Sequence, residues 1–312
     1  MNFLEEQKRN LRTTWFLSST FFLLLTGAGL CLDILFFQGK AFWITGVVVV
    51  FAVGQWLYAY YSGPSLLLRS VEAVPLNPAE SSRHRQVQNV LEELCIASGL
   101  PQVPLYIEPD EAINAFAAGR DPEHSVICVT TGLVEKLDRN ETAGVLAHEL
   151  AHIRNRDVLL FTIMTAFVGS VGILSALAWR AIRGTRFRSR SKNAGQVIII
   201  LLTVAIVFWI ASWLGRLLKM AVSRTREYLA DATAVEFTRE PDGLIEVLEK
   251  IRRESIDTEY GYADMAHAYF AQPHFRAASL HATHPPIEER IERLRGWKAQ
   301  HAAEPAAGGE RG

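Results

Sequence analysis

Four long apolar runs constrain this chain more than any other feature it carries. They cover roughly residues 15–37, 41–61, 158–179 and 196–214. Each approaches the ~20 residues with which a helix crosses the hydrocarbon core of a bilayer. Asp33, near the end of the first run, is the one charged side chain within them. Trp15, Trp43, Tyr60, Tyr61, Trp179 and Trp213 stand near the run ends, where aromatic belts form. Apolar residues make up 49% of the chain and the mean hydropathy is +0.12. The first run exceeds the usual signal-peptide core of about 7–15 residues and lacks a small-x-small cleavage site. It is therefore expected to be an uncleaved anchor, opening a hairpin that turns at Gln38–Lys40. For the third and fourth runs the alternative is a pair of buried core helices in a soluble domain.

Lysine and arginine gather on the cytoplasmic flank of membrane spans. One side carries Lys8, Arg9, Arg12, Arg69, Arg154, Arg156, Arg216, Lys219, Arg224 and Arg226, ten in all. The other carries seven: Lys40, Arg180, Arg183, Arg186, Arg188, Arg190 and Lys192. The majority puts both polar segments, 62–157 and 215–312, in the cytoplasm. The basic cluster at 180–192 opposes that assignment, and suits either a shallow hairpin or contact with anionic headgroups. A net charge of -1 argues against a nucleic-acid partner, because binding phosphates needs a basic surplus on one face. Cys31, Cys95 and Cys128 lie far apart with no C-x-x-C spacing, so no disulfide framework is expected.

Within the first polar segment, Val87, Val90, Leu91, Leu94 and Cys95 recur at helical spacing over residues 79–98, and Gly99-Leu100-Pro101 stops that helix. Val103–Glu108 and Ser125–Thr130 have the composition of short strands. Asp138 with Glu141 three residues on marks a helix start. The helix that follows contains His148-Glu149-Leu150-Ala151-His152. Four residues is slightly more than one turn, so both imidazoles share a face and can bind one metal ion, with zinc the fitting choice. Glu149 is rotated away from them, toward the position such a site leaves open for water. A catalytic zinc keeps three protein ligands. Downstream, Glu227 and Asp231 again lie four apart. Glu227 is the candidate third ligand, and Asp231 the acceptor for the second ring N–H of His148.

With those motifs in place the chain resembles the HtpX-type membrane metallopeptidases, relatives of the CAAX prenyl endopeptidase. The stretches that carry the resemblance are Asn114-Ala115-Phe116-Ala117, the helix around His148 to His152, Ser223 through Asp231, and Thr283-His284-Pro285-Pro286 with Arg290. It departs at Ala118-Gly119, where Thr-Gly is familiar, and in the basic 180–192 loop. The resemblance implies a gluzincin-type zinc endopeptidase in which Glu149 is the general base and one Zn²⁺ is bound per chain. The expected fold is mainly α with a small β-sheet, an α+β zincin-like catalytic domain with four transmembrane helices. Its parts are a transmembrane hairpin (1–61), a first catalytic half (62–157), a second hydrophobic hairpin (158–214), a second catalytic half (215–300) and a disordered tail (301–312).

His284 is the candidate oxyanion donor, with Tyr228 and Arg290 behind it; the plainer alternative for His284-Pro285-Pro286 is a rigid helix start. The Ser125–Thr130 strand is expected to offer its edge to a substrate chain. Asn114 would then bond the substrate backbone, unless it is only a turn residue. Residues 254–282, rich in aromatics, are a candidate flap. Expected partners are the lipid bilayer and unfolded or membrane-protein substrates, and the resemblance implies a role in quality control at the cell membrane. Two alternatives stand beside that: specific processing of a peptide or prenylated substrate, and a zinc-dead membrane scaffold.

Overall fold

The computed structural model describes residues 3–163, 224–253, 270 and 285–302. Most of the third and fourth apolar runs, the 180–192 cluster, His284, the candidate flap apart from Phe270, and residues 303–312 lie outside the described residues. The chain divides into two compact units.

The first unit comprises Met1–Leu67 with Leu159–Ala221. Its described part is led by α1 (Phe3–Phe37) and by α2 (Trp43–Ser70), which continues into the second unit. Gln38 and Gly39, at φ 53° and 75°, reverse the chain between these helices, where the sequence places the turn. The start of α2 is capped from the other arm of the hairpin. The buried Asp33 carboxylate accepts the backbone N–H groups of Ile44 and Thr45, at 3.0 and 2.8 Å, and the Thr45 hydroxyl. That explains a charge within an apolar run: it satisfies donors that a helix N-terminus leaves unpaired. Gly29 is required for the approach, since a Cβ there would meet the Thr45 Cα at 3.0 Å. Trp15, Trp56 and Tyr60 stack beside one another. Among the described residues, two segments are long and apolar enough to cross a membrane: Leu11–Cys31, of 21 residues, and Trp43–Ser70, of 28. They expose large apolar side chains such as Phe16, Leu23, Val47 and Val50.

The second unit comprises Leu68–Val158 with Val222–Gly312. It is mostly helical with a small mixed sheet of four strands: β1 (Val74–Pro75), β2 (Leu105–Glu108), β3 (Ala115–Gly119) and β4 (Ser125–Thr130). Their order is β1-β2-β4-β3, with β4 parallel to β2 and antiparallel to β3. The expectation that β4 presents a free edge is thereby corrected. Its β-branched residues suit a central strand, buried on both faces and paired on both sides; the edges belong to β1 and β3.

Four of this unit's helices pack together at its centre: α3 (Ser82–Ser98), α5 (Arg139–Arg154), α6 (Arg224–Thr238) and α7 (Asp242–Arg253). Between α3 and α5 comes the short α4 (Thr131–Lys136), and α8 (Ile287–Ala302) closes the described chain. On α3 the residues with helical periodicity are the ones buried, and the helix is capped by Ser81 and by Gly99 in the left-handed conformation. α5 begins with a reciprocal cap: Asp138 accepts from Glu141 N–H, and Glu141 accepts from Asp138 N–H, worth about 1 kcal/mol. From Glu141 to Ile153 every residue of α5 except Ala143 is buried. α5 is thus the central helix of the unit, with α3, α6, α7 and β3 packed around it.

Candidate metal centre

Central burial is what gives the paired histidines of α5 their character. His148 and Glu149 are essentially inaccessible, and His152 nearly so. The imidazoles meet edge to face, and their Nε2 atoms are 3.1 Å apart. α6 brings in Glu227, fully buried, whose two carboxylate oxygens stand 3.6 Å from His148 Nε2 and 3.6 Å from His152 Nε2. One donor atom from each of the three residues lies within 4.8 Å of the others. In a tetrahedral zinc site with bonds of about 2.0–2.1 Å, neighbouring donors are about 3.3–3.4 Å apart. The observed spacings bracket that value.

Charge gives a second measure of fit. Glu149, Asp157, Glu227 and Asp231 are buried around the histidines, against two buried arginines, Arg226 and Arg290. Four carboxylates less two guanidiniums leave a deficit of two positive charges, which a divalent cation would cancel. In the metal-free site part of this deficit falls on His152. Burial disfavours its charged form, but the Asp157 hydrogen bond, then the charges of Glu227, Asp157 and Glu149, outweigh that and raise its pKa to about 9.

The outer ring nitrogens are also engaged. His148 Nδ1 lies 2.9 Å from Asp231 Oδ1, the contact the four-residue spacing of Glu227 and Asp231 implies. Arg290, brought in by α8, donates to both oxygens of Asp231, at 2.6 and 2.9 Å. Burial pushes the Asp231 pKa upward, but the Arg290 charge and then the His148 hydrogen bond hold it at about 2.

The other sequence candidates fall in different places. Asn114 is buried at the entry to β3: its N–H donates to Thr130 Oγ1 and its side-chain oxygen accepts from Ala115 N–H. Tyr228 turns its hydroxyl to Glu289, at 2.5 Å, with Arg293 over its ring. Arg290 is directed at Asp231 and the Phe270 carbonyl. His284 lies outside the described residues. Sequence reasoning gave no site role to three neighbours of the site: Phe270 counts there only within the candidate flap, Arg226 only as a basic flank, and Asp157 not at all. Phe270 packs its ring against His148, with centroids 5.1 Å apart, and donates its N–H to the Ala115 carbonyl on β3. Of the other two, Asp157 stands next to His152 and Arg226 next to Asp157. A carboxylate five residues past the second histidine was visible in the sequence, but nothing in its spacing told which way the chain turns after α5.

A buried H-E-x-x-H helix that meets a glutamate from a second helix, beside a small mixed sheet, defines a metalloprotease. Comparison with known proteins agrees. The model of peptidase family M48 matches residues 81–298. A Protease HtpX homolog of Thermoanaerobacter pseudethanolicus is 39% identical over 296 residues, covering 93% of this chain and 96% of its own. The protein of the same name in Listeria monocytogenes is 36% identical and covers 93% and 98%. Among solved structures, that of S. mikatae Ste24p matches with a TM-score of 0.50 at 18% identity. This covers 92% of the chain but 66% of the S. mikatae one, just under two thirds, and the likeness is one of fold. The chain belongs to peptidase family M48, among the HtpX-type proteases.

Proposed function

We propose that this protein is a membrane-embedded, zinc-dependent endopeptidase whose catalytic unit faces the cytoplasm and which degrades misfolded or damaged membrane proteins. The observation that carries the enzymatic part is the convergence of His148 Nε2, His152 Nε2 and the Glu227 carboxylate beside the buried Glu149. The quality-control role rests on the HtpX resemblance.

His148, His152 and Glu227 would hold the metal. Zinc bound there supplies Lewis acidity to an attacking water and to the scissile carbonyl. Glu149, on the helix that carries both histidines, takes the proton of that water and delivers it to the leaving amine. His284 is assigned to hydrogen-bond the carbonyl oxygen as it gains charge. Asn114 is assigned to the substrate backbone; β3, whose edge already receives one backbone hydrogen bond from Phe270, supports an extended substrate beside it. Asp231 and Arg290 keep His148 in the tautomer that presents Nε2 to the metal.

The decisive comparison is wild type against Glu149→Gln, purified in detergent and assayed on casein or another unfolded protein, with and without chelator. The variant should retain zinc and lose about 10²–10⁴-fold in cleavage rate. Undiminished cleavage by Glu149→Gln refutes the assigned base. Many loose cleavage sites across unfolded membrane proteins support quality control, whereas one sharp site supports dedicated processing.

A further inference from the structure

The chain does not run straight on after the second histidine. α5 ends at Arg154, and Asn155 and Arg156 form a turn before a further helical stretch, 157–163. Arg156 takes φ 62°, a conformation L side chains seldom adopt. The turn brings Asp157 back against the helix the chain has just left. Asp157 Oδ2 lies 3.2 Å from His152 Nδ1, and Oδ1 lies 3.5 Å from Arg226 Nη1. All three residues are buried, Asp157 completely. Arg226 directly precedes Glu227.

The geometry points to Asp157 as a positioning residue that accepts the Nδ1 hydrogen of His152, directs the Nε2 lone pair at the metal position, and is held in place by Arg226. This inference rests on the metal-site reading above and adds to it. Each histidine then has a carboxylate at its outer nitrogen and a guanidinium beyond it: Asp231, doubly hydrogen-bonded by Arg290, behind His148, and Asp157, ion-paired with Arg226, behind His152. The second pair has a further consequence. Through Arg226 it ties the register of α6, which carries Glu227, to the ring orientation of a donor on α5. Two helices remote in sequence are thereby fixed against each other at the atoms that must share one ion. A carboxylate that served only to begin the 157–163 helix would have no need of an imidazole partner.

The test uses full-length protein in detergent. Zinc affinity is measured by competition with a chromophoric chelator, and ligand geometry by the absorption bands of the cobalt(II)-substituted protein. Asp157→Asn should weaken zinc binding by about 10- to 100-fold and shift the cobalt bands. Arg226→Met leaves the carboxylate in place and should weaken binding by a smaller factor. It should add little on top of Asp157→Asn, because it acts through that residue. Unchanged zinc affinity and cobalt bands in Asp157→Asn overturn the proposal, even if the variant melts earlier, because that pattern marks a merely structural carboxylate. Should Asp157→Asn fail to accumulate, unchanged affinity and bands in Arg226→Met overturn it equally. Wild-type protein that takes up no zinc, or whose uptake survives His148→Ala, instead refutes the metal-site reading beneath it.

Discussion

The protonation of His152 decides how the metal centre responds to pH. Its pKa, raised to about 9 in the metal-free site, stands above the ordinary value near 6.5. The bound proton therefore stabilises the metal-free fold fully below pH ~6.5, and that contribution is lost as pH rises through 9. Zinc requires neutral imidazole and must expel the proton. Its affinity should thus climb by up to about tenfold per pH unit between pH ~6.5 and ~9. Thermal unfolding in detergent reads this directly: the gap in melting temperature between zinc-loaded and metal-free protein should widen over that window and then level off. A gap that stays flat or narrows contradicts the assignment of His152 as a ligand. The same residues show how much of the site was legible in the sequence. His148, Glu149, His152, Glu227 and Asp231 stand out because helical spacing is itself a geometric statement: four residues apart means one face. Phe270, Asp157 and Arg226 did not stand out as site residues. Asp157 reaches the site through the turn after α5 and Phe270 through a backbone contact to β3, and no periodicity encodes either; Arg226, beside Glu227 on α6, reads in the sequence only as one more basic flank.

Secondary structure was legible where side-chain pattern and backbone preference agreed. The amphipathic α3, the Asp138–Glu141 cap and the β-branched β4 all correspond to a readable pattern. β3 reads Ala-Phe-Ala-Ala-Gly, a composition of low strand propensity, and it is a strand because β4 pairs along its whole length. Glycine placement gives the element scale its own prediction. α5 and α7 approach until their backbones nearly touch. A Cβ at Gly243 would lie 2.1 Å from the Asn140 carbonyl oxygen, and one at Gly144 would lie 2.6 Å from the Leu244 nitrogen. Gly243→Ala and Gly144→Ala must push the helices apart and should each destabilise by about 1–3 kcal/mol. Gly296, exposed in the interior of α8, has nothing within 4 Å of the same added atom. There the alanine should stabilise, by up to ~1 kcal/mol, through helix propensity alone. Opposite shifts in melting temperature for Gly243→Ala and Gly296→Ala are the expected result. A common downward shift would show that α8 is not the regular exposed helix described.

At the scale of the molecule, the convergence of His148, His152 and Glu227 restricts how the chain can thread a membrane. The histidines lie in Leu68–Val158 and Glu227 in Val222–Gly312, two segments of one compact unit whose side chains stand 3.6 Å apart. Both segments must therefore be on the same side of the bilayer. The chain between them then crosses an even number of times: twice if the third and fourth apolar runs both span, not at all if neither does. The same logic reaches the N-terminus. If α1 and α2 form a spanning hairpin, the residues before Leu11 share the side of the catalytic unit, and the short turn at Gln38–Lys40 is on the opposite face. Charge bears on which side is which. The flanks assigned to the catalytic side carry ten lysines and arginines against seven opposite, which supports the proposed cytoplasmic placement of that side. A cysteine placed at Gly39 should accordingly react with a membrane-impermeant maleimide in intact cells, in a background where Cys31, Cys95 and Cys128 are replaced by serine. One placed at Lys8, or at Lys298 on α8, should react only after the cells are opened. Labelling of Lys8→Cys and Lys298→Cys on opposite sides of the membrane would require an odd number of crossings between them. That result is incompatible with α1 and α2 both spanning while one unit holds the two histidines and Glu227.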